Sequence, residues 1–176
     1  MKDILVRLKL IDTMTITLQI SKDDFVGRLS EITDKESTGT MSDMFDIFSS
    51  SNNEYKGEVT YERFTIKRKR RFFDTNMNLA IAEGTFNVHN GQLTIETEIN
   101  GFKYFYLLFC ALLVVFYSIF FIGILNSDDN ITLIVIPIVL LHGALMFAIP
   151  YLLMKRSVQR LKYDLEREFF FLTKPR

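Results

Sequence analysis

Two runs of this sequence carry no Lys, Arg, Asp or Glu: residues 104–125 (YFYLLFCALLVVFYSIFFIGIL) and 131–154 (ITLIVIPIVLLHGALMFAIPYLLM). All 21 basic and 21 acidic residues lie outside them. At about 1.5 Å of rise per residue, some 22 helical residues reach across the roughly 30 Å hydrocarbon core of a bilayer. Both runs are apolar on every side, and the region before them is too small to surround two such helices in a soluble core. The expectation is a transmembrane helical hairpin over 102–154, with spans 104–125 and 131–154, behind a β-rich domain at 1–101. The chain opens MKDILVRLKL, where polar and apolar residues alternate, so its start does not read as a secretory signal.

Charge sets the expected orientation. The linker Asn126-Ser127-Asp128-Asp129-Asn130 holds two acids and no base, whereas Lys103 precedes the first run and Lys155, Arg156, Arg160 and Lys162 follow the second. By the positive-inside rule both termini are cytoplasmic and the protein is multi-pass. So short a linker makes the helices antiparallel neighbours. Asn130-Ile131-Thr132 matches a glycosylation sequon but sits at the membrane edge, and is read as chance. The single cysteine, Cys110, lies in the first run and reads as a small packing residue, with no disulfide framework.

In the region 1–101, alternation of Val6, Leu8 and Leu10 and then of Met14, Ile16, Leu18 and Ile20 predicts two half-buried strands turned near Asp12. Ser21 and Asp24 form a near capping box ahead of Phe25, Leu29 and Ile32, which predicts a helix over 22–33. Residues 34–53 read as a loop bearing one short helix, Ser42 to Phe48, around the apolar island of Met41, Met44, Phe45, Ile47 and Phe48. Four strands follow at 55–60, 63–70, 78–89 and 92–99, the last two joined by Asn90-Gly91, a pair that tolerates the positive φ of a two-residue turn. The fold class is therefore α+β: an N-terminal antiparallel domain of about six strands with one or two short helices, a transmembrane hairpin, and a C-terminal amphipathic helix over 155–176. The last strand runs almost directly into the first span, which holds the sheet against the membrane surface.

The spacing Gly57-x-Val59, Phe64-x-Ile66-x-Arg68, Asn76, Ile81 and Gly84, then Thr94-x-Glu96 and a membrane hairpin, resembles a family of small uncharacterised bacterial two-transmembrane-helix proteins. The likeness covers about residues 55–125, and the sequence departs from it at Ala80, where that family has proline. It implies the same architecture in a bacterial inner membrane, and brings no activity and no site residues.

Several features bear on function. Lys67-Arg68-Lys69-Arg70-Arg71 is the densest charge run, and a basic cluster near an anionic leaflet gains about 1 kcal/mol per charge, so these five are the candidate lipid or anion contacts. The bland alternative is a solvated strand end neutralised by Glu58, Glu62 and Asp74. Alternation puts Arg68 on the face of Phe64 and Ile66, where it needs an acid at the sheet rim or an anionic ligand. Up to Lys103 the chain holds 14 bases and 16 acids, which argues against a nucleic-acid partner. Of the two histidines, His89 flanks the turn. His142 lies mid-span, where a polar ring is costly; Tyr117 and Ser118 are its natural partners, and packing between helices competes with proton sensing or transfer as its role. Gly143, Ala144 and Ala148 allow close helix approach and offer a route to a homo-oligomer; Pro137 and Pro150 permit kinks. Val158, Leu161, Leu165, Phe169 and Leu172 repeat at helical spacing, and their stripe beds either in headgroups or, preferably, on the sheet, an arrangement resembling the START-like helix grip.

Enzyme motifs are absent: no phosphate loop, no metal-ligand spacing, no nucleophile elbow, so neither a metal nor a cofactor is expected. The leading expectation is a non-enzymatic inner-membrane protein whose cytoplasmic domain binds a partner protein, a lipid or a small amphiphile at the membrane surface. The alternative is a homo-oligomeric channel or membrane-perturbing effector with a sensing β-domain; a lipid-acting enzyme is weaker still.

Overall fold

A computed structural model of the chain describes residues 2–35, 53–69, 78–126 and 132–174. The expected short helix at 42–48, the Asn76 position of the signature, the acidic part of the linker, Arg70 and Arg71 lie outside those residues. The backbone divides into two compact units: Met1–Phe102 together with Met154–Arg176, and Lys103–Leu153.

The first unit is built on a six-stranded mixed sheet. Its strands are β1 (Ile11–Leu18), β2 (Thr33–Lys35), β3 (Tyr55–Val59), β4 (Arg63–Arg68), β5 (Ile81–His89) and β6 (Gln92–Asn100), in spatial order β1-β6-β5-β4-β3-β2. β3 to β6 form the antiparallel meander that alternation predicts, with Asn90 (φ 53°) and Gly91 (φ 78°) turning β5 into β6. β1 pairs antiparallel with β6, whereas β2 pairs parallel with β3. The sheet is thus not purely antiparallel. The helix α2 (Lys22–Glu31) is responsible, because it carries the chain from β1 on one edge to β2 on the other. Ser21 caps α2, its hydroxyl accepting from the Asp24 N–H at 3.1 Å.

The strand expected at Val6 to Leu10 is instead a helix, α1 (Lys2–Arg7). Lys9 takes a left-handed φ of 56°, the Lys9 N–H donates to the Val6 carbonyl and the Leu10 N–H to the Leu5 carbonyl, both at 2.9 Å. That is a Schellman stop. Alternation over so few residues does not separate a strand from a short helix, and here Val6 and Leu8 stay exposed while Leu10 alone of that set is buried.

One face of the sheet carries the core. Met14, Leu18, Phe64, Ile66, Phe86, Leu93, Ile95 and Ile99 point to it, covered by Phe25 and Leu29 of α2. The remaining cover comes from the far end of the chain. The span expected at 131–154 and the separate amphipathic helix expected at 155–176 are joined in one helix, α4 (Thr132–Leu172), and its apolar stripe Val158, Leu161, Leu165, Phe169 and Leu172 lies in the sheet core. Phe169 stands edge-on to Phe25 (5.3 Å) and to Phe64 (5.9 Å). Gly84 makes room for the Phe64 ring, since a Cβ there would stand 2.4 Å from it. In the second unit, α3 (Tyr104–Leu125) lies antiparallel to the start of α4. Both helices are long and apolar enough to cross a membrane.

Candidate functional site

On the opposite face of the sheet the described residues form rows of polar side chains. Strand register places Glu58, Thr65, Glu83, Glu98 and Thr13 in one row across five strands, and Arg63, Thr85, Glu96 and Thr15 in the next. Together they line an open depression of about 620 Å³. Glu83 and Glu98 stand directly opposite each other on β5 and β6, a like-charge pairing that costs stability. Lys2 relieves part of it, its Nζ 2.6 Å from Glu98 Oε2. Among the described residues no ion pair reaches Glu58, Glu83 or Glu96. Alternation marks these residues as the polar side of their strands, but their assembly into one row depends on register, which the sequence does not display.

The described part of the basic run, Lys67 to Lys69, is not a solvated strand end. Lys67 and Lys69 are only 1% and 5% exposed, Lys69 pairs with Asp34 of β2, and Arg68 pairs with Asp164 of α4. Lys67 stands opposite the equally buried Lys56 of β3. Arg68 and Lys69 thus meet acids that lie far away in sequence, Asp164 and Asp34, while Asp74 lies outside the described residues. Of the five candidate lipid contacts, two ammonium groups are enclosed and the guanidinium of Arg68 is engaged within the domain.

Beside the Arg68–Asp164 pair stands Tyr55, 2% exposed, whose hydroxyl has no hydrogen-bond partner among the described residues. Burial, with the nearby carboxylates of Glu168 and Asp164 adding to it, pushes the phenol well above its usual range. Further polar contacts fasten α4 to the domain. Ser157 Oγ accepts from the N–H groups of Leu79 and Ala80 at 2.9 Å, Lys162 Nζ reaches Asp12 Oδ2 at 2.9 Å, and Arg28 donates to the carbonyls of Leu172 (2.6 Å) and Lys174 (2.8 Å). Arg28 so satisfies carbonyls that the end of a helix leaves open.

In the second unit His142 Nδ1 and the Tyr117 hydroxyl are 2.6 Å apart, one of the two pairings expected. Ser118 does not join them, because its hydroxyl donates to the Val114 carbonyl one turn back. Gly143 is buried against the Tyr117 ring, whereas Ala144 is exposed and Ala148 half-buried. The small-residue patch is thus partly used inside the hairpin. Among the described residues no cluster of His, Cys, Asp and Glu could hold a metal ion.

No protein-family model, curated protein or solved structure matches this chain.

Proposed function

We propose that this chain is a non-enzymatic membrane protein whose sheet domain, on the cytoplasmic side, binds a basic protein partner at the membrane surface. The bilayer reading is supported by the two long apolar helices, the sidedness by the acidic linker between basic flanks, and the bacterial inner-membrane setting by the resemblance through Gly57, Val59, Phe64, Ile66, Arg68 and Gly84. The observation that carries the partner is the open acidic face. Directly opposed glutamates lower the stability of the free domain, and a cationic surface docked across them would relieve the repulsion. A protein fits this face better than a lipid, because an anionic leaflet repels carboxylates. The rival reading, a channel or membrane-perturbing effector, needs several copies, since two helices enclose no pore.

Carbodiimide coupling in native membranes, which joins a carboxylate to a lysine amine held beside it, tests the proposal. Cross-links to a second protein are expected at Glu58, Glu83 or Glu96, and changing all three to Thr should abolish them. The change at Glu83 should raise the domain's stability by about 0.5 kcal/mol, since it removes the opposed Glu83–Glu98 pair. Cross-links that persist in the variant, or none in the wild-type protein, would refute the reading.

A further inference from the structure

We propose that the helical hairpin is a self-association element, in which His142 of one copy hydrogen-bonds the His142 of a second copy within the membrane. This rests on the reading that the hairpin spans a bilayer.

His142 sits near the middle of the apolar run 131–154, and so near mid-depth of a spanning helix. Its ring is exposed on the outside of the hairpin, with Nδ1 engaged by Tyr117 and, among the described residues, no hydrogen-bond partner for Nε2. The neighbouring polar groups are already satisfied: Ser118 by the Val114 carbonyl, and Tyr106 by the Phe147 carbonyl at 3.0 Å. In hydrocarbon there is no water to serve Nε2, and a polar group left open there is costly. Against Tyr117 runs an apolar cleft of about 220 Å³, walled by Tyr117, Phe121 and Phe147 with Gly143 and Ala144 in it. A lipid chain can fill that cleft. It cannot satisfy Nε2.

A second copy can. Copies inserted in the same orientation and related by a two-fold axis along the membrane normal bring each residue to its counterpart at equal depth. A neutral imidazole carries one N–H and one lone pair, and a tyrosine hydroxyl both donates and accepts. Where Tyr117 donates to Nδ1, Nε2 bears the proton and donates outward; where Tyr117 accepts from Nδ1–H, Nε2 accepts. The two arrangements complement each other, so a pair of identical chains supplies one donor and one acceptor. The exposed Ile138, Leu141, Leu145, Ile149 and Leu152 extend along the same helix as a continuous apolar surface around that bond.

The test uses the full chain, labelled and reconstituted into phosphatidylcholine vesicles at low protein-to-lipid ratio, with copies counted by stepwise photobleaching. Alkaline carbonate extraction is run on the same vesicles. Protein released by carbonate overturns the membrane reading, and this inference with it; protein retained but monomeric overturns this inference alone. The wild-type chain is expected to be dimeric, His142→Phe to weaken association about tenfold, and His142→Asn, which keeps a donor and an acceptor, to stay close to wild type. Dimers of His142→Phe as strong as wild type, or His142→Asn as weak as the Phe variant, would overturn the donor–acceptor pairing.

Discussion

Tyr55 shows what one buried hydroxyl does when nothing meets it. The phenol is enclosed between sheet and α4 beside Asp164 and Glu168, and among the described residues the hydroxyl makes no hydrogen bond. Removing an unsatisfied buried polar group without changing the shape around it is neutral or favourable, so Tyr55→Phe should leave stability unchanged or raise it by about 1 kcal/mol. The effect should also depend on pH with a defined sign. A tyrosine whose folded pKa lies above its unfolded value of about 10 holds its proton more firmly when folded, so its contribution is complete below pH 10 and is lost as pH climbs toward the folded value. Denaturation midpoints measured across the alkaline range should therefore fall more steeply for wild type than for Tyr55→Phe. Parallel curves for the two proteins would show that the phenol is not shifted. Nothing in the sequence around Tyr55 announces this position, because its surroundings come from α4, more than a hundred residues further on.

At the scale of elements, the part of α4 beyond Met154 is the piece on which the core depends. Phe169 is fully buried among Phe25, Phe64 and the sheet, while its neighbour Phe170 faces outward. Phe169→Ala should cost roughly 3–5 kcal/mol and Phe170→Ala less than about 1, read from urea midpoints of the sheet's far-ultraviolet signal. Equal effects at the two positions would mean that the helix does not lie on the sheet through this stripe. The stripe was legible because five residues at helical spacing leave one consistent face. Strands β3 to β6 and the Asn90-Gly91 turn were legible for the same reason, period two sustained between clear breaks. α1 is not legible because a few alternating residues also fit one and a half helical turns, and its stop places Lys9, not glycine, at the left-handed position. β2 escaped notice because three residues carry no period at all, and its parallel pairing follows from where α2 sets the chain down. Register and distant ion pairs, which make the acidic row and join Arg68 to Asp164, are tertiary facts with no local sign.

At the scale of the whole molecule, the sheet domain is assembled from both sides of the apolar hairpin. Its polar ties link residues very far apart in sequence: Asp12 with Lys162, Arg28 with Leu172 and Lys174, Arg68 with Asp164. Residues 1–101 alone lack the helix that completes their core, so they should not fold as a unit, and binding measurements on that fragment would report on an incomplete domain. The two chain ends that enter the hairpin are nevertheless adjacent within the domain. Gly101 packs so closely on α4 that a Cβ there would stand 2.9 Å from the Met154 carbonyl and 2.5 Å from Val158. A short bridge can therefore replace residues 103–153, since closing a loop of a few flexible residues costs little where the ends already meet. Such a chain, with about four Gly and Ser residues joining Phe102 to Met154, should be soluble, monomeric and cooperatively folded, and Phe169→Ala should destabilise it as much as it does the full-length protein. It should also keep the carbodiimide cross-links at Glu83 and Glu96 when supplied with the partner, while losing the dimerisation assigned to His142. Aggregation of the bridged chain, with the full-length protein folded under the same conditions, would show that the apolar hairpin is required to bring α4 onto the sheet.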